Sequence, residues 1–178
     1  MFPAAIDLGI TIVGRRADRI RLRSDAAEEP VDIAADGSAD DPPSGWARYV
    51  AAVEQELGAL GRAPIGFEGR VTSTLPAGAG LASSAALEVA IAVALCAVAE
   101  LELPPLELAA ACRRAEERAV GVPCGIMDQA ASVLGEEGCA ILLDCGSLEH
   151  RAVRLPAGVA LVAVDSGVRH AHEHSGYG

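Results

Sequence analysis

Along the chain, stretches that alternate between apolar and polar residues give way to stretches with helical spacing. Residues 2–13 (FPAAIDLGITIV) are rich in β-branched side chains and predict a strand, with Arg19–Arg23 (RIRLR) as its alternating hairpin partner. Residues 35–43 (ADGSADDPP) have the composition of a loop, after which Ser44 stands where a helix cap is expected. Trp46, Tyr49, Val50, Val53, Leu57 and Leu60 then recur at helical intervals, which makes the single Trp a core residue rather than a ligand platform. Residues 65–73 (IGFEGRVTS) alternate as a strand. They lead through a Gly- and Ala-rich turn into a helix of about five turns, apolar on most faces and expected to be buried. Pro104 and Pro105 open the next helix, because Pro suits the first helical position. Residues 121–135 (GVPCGIMDQAASVLG) read as a turn and a short helix, and Cys139–Asp144 and Ala160–Asp165 as strands. This interleaving of strands and helices indicates an α/β domain, and no internal repeat is present.

Composition narrows the chemistry. A length of 178 residues fits one domain. A net charge of −11 and an aromatic content of 3% argue against a nucleic-acid partner, which needs clustered positive charge. Arg15, Arg16, Arg19, Arg21 and Arg23 are interrupted by Asp18 and followed by Asp25, the pattern of solvated strands instead of an anion patch. All 14 basic residues are Arg; the chain has no Lys and no Asn. That excludes a Walker A loop, a protein-kinase strand Lys, Schiff-base chemistry and N-glycosylation. Phosphate, if handled, must be held by backbone amides, helix dipoles, Arg or a metal ion. The 5 Cys form no CxxC pair, so a reduced, cytoplasmic protein is expected. No basic region precedes the apolar start and Asp7 interrupts it, so it is not read as a signal peptide. The longest uninterrupted apolar run, Val89–Ala99, is far short of the roughly 20 residues that span a bilayer, and no membrane partner is expected.

Three constellations carry candidate chemistry. In PAGAGLASSA (residues 76–85), Gly78 and Gly80 allow close backbone approach, and Ser83 and Ser84 fall where the helix begins. Exposed N–H groups and the positive end of the helix dipole would then face the loop, an anion cradle that needs no Lys. The plain alternative is a Gly turn with a Ser cap. In GVPCGIMDQ (residues 121–129), a tight turn presents Asp128 close to a helix start, where it suits a base or a partner for a hydroxyl, or simply a cap. Glu116 and Glu117 form an acidic pair on the preceding helix, which reads either as a solvated face or as a source of Mg²⁺ ligands alongside a Ser hydroxyl and phosphate oxygens.

Together these strings resemble the GHMP small-molecule kinases, and within them the galactokinase group. LPAGAGLASSAALEVA (residues 75–90) is similar to the family's nucleotide loop, PxGxGLxSSAA, although at Ala82 the galactokinase loop more often has Ser. GVPCGIMDQ followed by GCAILLDCGSLE (residues 138–149) resembles the galactokinase form of the second signature. FPAAIDLGI and VDSGVRHAHEHSGY (residues 164–177) resemble the segments that flank these in the group. The resemblance implies an α+β fold: a mixed sheet packed with helices, similar to the second domain of a small-subunit ribosomal protein. It implies ATP as co-substrate with Mg²⁺, and transfer of the γ-phosphoryl group to the C1 hydroxyl of galactose. A non-catalytic nucleotide-binding or sugar-sensing relative, or a kinase for another sugar such as arabinose, are the alternatives.

Carried over by position, Gly78, Ala79, Gly80, Leu81, Ala82, Ser83 and Ser84 would cradle the ATP phosphates, and Ser24 would lie near the nucleotide. Ser84 and Glu116 would hold Mg²⁺, with Glu117 as the alternative to Glu116. Asp128 would be the catalytic carboxylate, and Gly125 with Asp128 would meet the sugar. The group's sugar-binding signature, GRVNLIGEHTDY, and its second domain have no counterpart in these residues. The chain is therefore expected to be an incomplete N-terminal domain that is inactive by itself. His170, His172 and His174 alternate in a way that would suit metal ligands on a strand, but only His170 matches the group, and a frayed His-rich end is the expectation.

Overall fold

Alternation sets Ile20 and Leu22 on one side of a strand and Arg19, Arg21 and Arg23 on the other, and the computed structural model builds a sheet with one buried face from it. The structure describes residues 1–38, 43–76 and 80–164; Gly78, Ala79, Asp165 and the three histidines of the C-terminal run lie outside them. Four strands, β1 (Ile10–Ala17), β2 (Arg19–Ser24), β3 (Ala27–Ala34) and β4 (Gly66–Ser73), form a sheet in the order β1-β4-β2-β3. β2 and β4 are parallel and the other pairs antiparallel, so the sheet is mixed. Ile20, Leu22, Val31, Phe67 and Val71 point into the core. The opposite face carries ion pairs such as Arg19–Asp32 and Arg15–Glu68. The arginines of β1 and β2 thus largely neutralise local acids, as their spacing predicts.

Several pairings differ from the sequence expectation. β1 starts at Ile10, not Phe2, and its partner is β4, not β2. β2 instead turns back onto β3, whose AEEPVDIA string conceals a strand behind Pro30 and three acids. Residues ahead of β1 run along a separate two-stranded sheet, β5 (Cys139–Leu143) and β6 (His150–Arg154). There Ile141 N donates to Pro3 O at 2.8 Å and Leu143 N to Met1 O at 3.0 Å. These contacts span more than a hundred residues of sequence, beyond the reach of local periodicity. The expected strand at residues 160–165 is absent from its described part, residues 160–164. Val162 (81% exposed) and Val164 (85%) find no neighbouring strand to complete a ladder.

The helices are α1 (Ala47–Ala59), α2 (Ser83–Ala99), α3 (Pro105–Val120) and α4 (Met127–Leu134). Ser44 does not cap α1, which begins at Ala47 with Trp46 at the cap position and no side-chain cap. Trp46 packs on the core while its indole N–H donates to Glu29 O at 2.8 Å, so it is a structural residue as expected. Val50, Val53 and Leu57 are buried at the predicted spacing. α1 packs against β3 and α2 against β1 and β4, and α3 lies across both helices with α4 beside it. α2 carries a single charged residue, Glu88, within a 17-residue apolar helix. It is less enclosed than expected: Val93 is 52% exposed on a face turned toward β1 and residues 4–9.

Phe67 explains one local requirement. Its ring covers Gly14 and Gly69, which face each other across β1 and β4, and a Cβ at Gly14 would lie 2.5 Å from the ring. α1 is tied down by a buried ion pair in which Arg62 donates to Glu54 at 2.8 Å, to Ala35 O at 2.7 Å and to Ile65 O at 2.8 Å.

Candidate functional site

The mixed sheet decides where the Gly- and Ala-rich turn leaves it. Parallel pairing of β2 and β4 sets Ser24 beside Val71, so Ser24 sits at the sheet end from which residues 74–76 depart. Its hydroxyl accepts from Ala26 N at 3.2 Å and shapes the β2–β3 turn. Beyond β4, Gly80 (φ 71°) and Ala82 (φ 52°, ψ 39°) both take the left-handed conformation before α2 begins at Ser83. Left-handed geometry at a residue with a Cβ costs about 1 kcal/mol or more, so the turn is held there by its surroundings. Alternating backbone hands of this kind turn successive N–H groups to one side, the form of an anion-binding nest.

The start of α2 has no side-chain cap, so neither Ser83 nor Ser84 serves the capping role that a Ser at a helix start usually performs. The first N–H groups of α2 are left without intrahelical partners. Leu81 sits in the same turn. Ser84 sends its hydroxyl elsewhere: Oγ donates to Glu116 Oε1 at 2.7 Å, joining α2 to α3. Glu117, the neighbouring acid, is committed differently. It pairs with Arg113 and accepts from Cys124 N at 3.3 Å, fixing the turn that follows α3. Of the two acids, it is Glu116 that faces the start of α2.

α3 ends at Gly121, whose φ of 76° gives the left-handed cap its N–H needs to reach Glu117 O. The turn through Pro123 and Gly125 then delivers Asp128 as the second residue of α4, where it makes no capping bond. A Cβ at Gly125 would meet nothing within 4 Å, so this position opens onto free space. Asp128 is half-buried, and its carboxyl is pushed up by burial and then by the nearby Glu116 charge. It lines a groove of about 770 Å³ together with Leu81 and Ala82.

Two residues that the sequence reading passed over complete the cluster. Gln129 donates through Nε2 to Glu116 Oε2 at 2.6 Å and to Glu88 Oε2 at 3.2 Å, and both Gln129 and Glu88 are fully buried. Burial, followed by the charge of Glu116, pushes the Glu88 carboxyl up to about 9, so it is neutral at pH 7. The available signal was the lone acid of an apolar helix, four residues after Ser84 and hence on its face. Cys124 lies at the edge, its thiol pushed up to about 12 by burial first and Glu116 second.

The arrangement suits a small, hard cation. Ligands on adjacent corners of an Mg²⁺ octahedron with 2.0–2.1 Å bonds lie about 2.9 Å apart, and Ser84 Oγ and Glu116 Oε1 are separated by 2.7 Å. Among the described residues there is no group of three or more His, Cys, Asp or Glu side chains placed to hold a metal. A cation here would complete its shell with water and ligand oxygens, as Mg²⁺ commonly does. Among the described residues no helix is long and apolar enough to cross a membrane.

Known proteins provide independent comparison. A family description, the GHMP kinases N terminal domain, matches residues 47–136, just over half of the chain. A galactokinase of Chloroflexus aggregans is 39% identical over 172 residues, covering 96% of this chain and 44% of that protein. A galactokinase of Streptomyces coelicolor is 39% identical over 174 residues, covering 95% of this chain and 45% of its own length. The chain thus spans less than half the length of these relatives. The crystal structure of Lactococcus lactis galactokinase complexed with galactose superimposes with a TM-score of 0.78 at 31% identity, over 87% of this chain and 41% of that one. Methanococcus jannaschii mevalonate kinase shares the fold, with a TM-score of 0.62 at 20% identity over 82% of this chain and 45% of that one. Motif, fold and family match fall on the same residues, and the chain belongs to the GHMP kinase family.

Proposed function

We propose that this chain is the nucleotide-binding part of a sugar kinase that transfers the γ-phosphoryl group of ATP to the C1 hydroxyl of galactose. The observation that carries this reading is the convergence of Ser84, Glu116 and Asp128 at the uncapped start of α2. Residues 78–84 would cradle the triphosphate with backbone N–H groups, a means that needs no Lys. Ser84 Oγ and Glu116 Oε1 would hold Mg²⁺, which when bound supplies charge neutralisation on the phosphate oxygens. Asp128, beside the groove and raised in pKa, would accept the proton of the sugar hydroxyl. Gly125 would leave room for the sugar. Ser24, at the same end of the sheet, would border the nucleotide. The galactose assignment rests on the relatives named above and on the string CGIMDQ.

The test replaces the matching segment of the Chloroflexus aggregans galactokinase with this chain and follows transfer of labelled phosphate to galactose. The chimera is expected to form galactose 1-phosphate, and Asp128→Asn should abolish turnover while leaving ATP affinity within threefold. Equal loss of turnover and ATP binding would make Asp128 structural and overturn the assignment. Phosphorylation of arabinose in place of galactose would overturn the choice of sugar. The unfused chain should bind ATP with Mg²⁺ but not turn over.

A further inference from the structure

We propose that Gln129 is a positioning residue for Glu116, with Glu88 as the buried post that holds the Gln129 amide in place. This rests on the reading of Ser84 and Glu116 as metal ligands and extends it to residues that touch neither nucleotide nor sugar. A carboxylate only accepts hydrogen bonds, so the NH₂ end of the amide must face Glu116. Its two hydrogens are then spent on Glu116 Oε2 at 2.6 Å and Glu88 Oε2 at 3.2 Å. With Oε2 tethered and Oε1 accepting from Ser84, the Glu116 carboxylate has one orientation, and Oε1 is the oxygen it presents to the start of α2.

A packing role alone does not account for this arrangement. Glu88 and Gln129 are both fully buried, and each has an oxygen without a partner among the described residues, Glu88 Oε1 and Gln129 Oε1. Two apolar side chains of the same volume would fill that space without leaving buried acceptors unpaired. The polar pair persists at the one place where it can hold a carboxylate from behind. Gln129 also directly follows Asp128 on α4, so its bond to Glu116 ties the start of α4 to α3.

The experiment measures Mn²⁺ binding to the full chain by electron paramagnetic resonance, with a non-hydrolysable ATP analogue present, beside metal-free analogue binding and thermal melting. Groups behind a metal ligand typically alter metal affinity by 10–100-fold. Gln129→Met, close in volume, is expected to weaken Mn²⁺ binding about tenfold while metal-free analogue affinity is unchanged. Glu88→Leu leaves one amide hydrogen of the buried Gln129 without its acceptor, so it should lower the melting temperature and weaken Mn²⁺ binding three- to tenfold, with metal-free analogue affinity unchanged. Glu88→Gln, which keeps an oxygen for Gln129, should restore the affinity. Loss of metal affinity at unchanged metal-free analogue affinity in Glu88→Leu, restored by Glu88→Gln, is something a purely structural role would not produce. That variant also keeps the test open if Gln129→Met fails to fold. Mn²⁺ affinity within twofold of wild type in Gln129→Met and Glu88→Leu, with Glu116→Gln weakened, would overturn the positioning role alone. No loss in Glu116→Gln would overturn the metal site beneath it.

Discussion

Two polar clusters are buried in this domain, and they are built on opposite plans. At the end of α1, Arg62 and Glu54 neutralise each other, with side chains only 0% and 4% exposed, and the remaining guanidinium bonds go to the carbonyls of Ala35 and Ile65. At the start of α2, Glu88, Glu116 and Asp128 gather with a hydroxyl and an amide, and among the described residues no cation joins them. The first cluster pairs opposite charges and joins the loop after β3 to the start of β4, although Glu54 Oε2 and Arg62 Nε have no hydrogen-bond partner among the described residues and burial pushes the Glu54 carboxyl up. The second gathers acidic groups without a balancing cation among the described residues, and two of them, Glu88 and Asp128, have their carboxyls pushed up by burial and by Glu116. A fold does not gain stability from such a site. It is the form expected where a positive partner arrives from outside.

The sharpest way to break the comparison is to remove one member from each cluster. Arg62→Met leaves Glu54 buried without its partner, which typically costs about 3–5 kcal/mol; urea unfolding should show that loss. Glu116→Gln removes a repelling charge and should leave the unfolding midpoint unchanged or higher. A large destabilisation by Glu116→Gln would mean that the second cluster is also a structural clasp.

The pH dependence of melting gives the next largest effect. Glu88 carries its proton in the folded state up to about pH 9, well above its ordinary value of 4.5. The folded state therefore binds more protons than the unfolded chain between those limits, and stability falls as pH rises through that window. Glu54 and Asp128, also raised, add to the same slope. Glu88→Gln should flatten the decline between pH 5 and 9 without removing it. A variant with an unchanged slope would show that the Glu88 carboxyl is not held neutral.

A smaller effect is expected at the turn itself. Ala82→Gly relieves a left-handed residue and should stabilise by about 0.5–1 kcal/mol after the added flexibility of Gly is subtracted. Ala82→Val should destabilise, because a branched Cβ fits that conformation worst. Equal melting temperatures for both variants would place the turn in another conformation.

How much of this could be read in the sequence follows from how far each interaction reaches. The start of α2 and the Pro104–Pro105 opening of α3 depend on neighbours within a few residues, and their strings announced them. The pairing of β1 with β4 brings Gly14 to Gly69, and the contact of Met1 with Leu143 joins residues 142 positions apart. Neither leaves a local periodic trace. Ser24, Gly80–Ser84, Glu116, Gly125 and Asp128 could be proposed from the sequence because they lie in or near recognisable strings. For the acidic pair, where Glu116 is preferred and Glu117 is the alternative, the structure adds that Glu117 pairs with Arg113 while Glu116 meets Ser84. Gln129 stood inside the quoted motif without a role, and Glu88 inside the apolar helix was passed over. Their hydrogen bonds to each other and to Glu116 depend on α2, α3 and α4 meeting, which is a tertiary fact.

The most direct test of the second cluster as a phosphate and cation site is a calorimetric titration of ATP into the chain, with and without Mg²⁺, for wild type and Glu116→Gln. Mg²⁺ is expected to tighten ATP binding by tenfold or more in the wild type and by less than twofold in Glu116→Gln, with metal-free affinities alike. ATP binding indifferent to Mg²⁺ in the wild type, or equally tightened in the variant, would contradict the assignment.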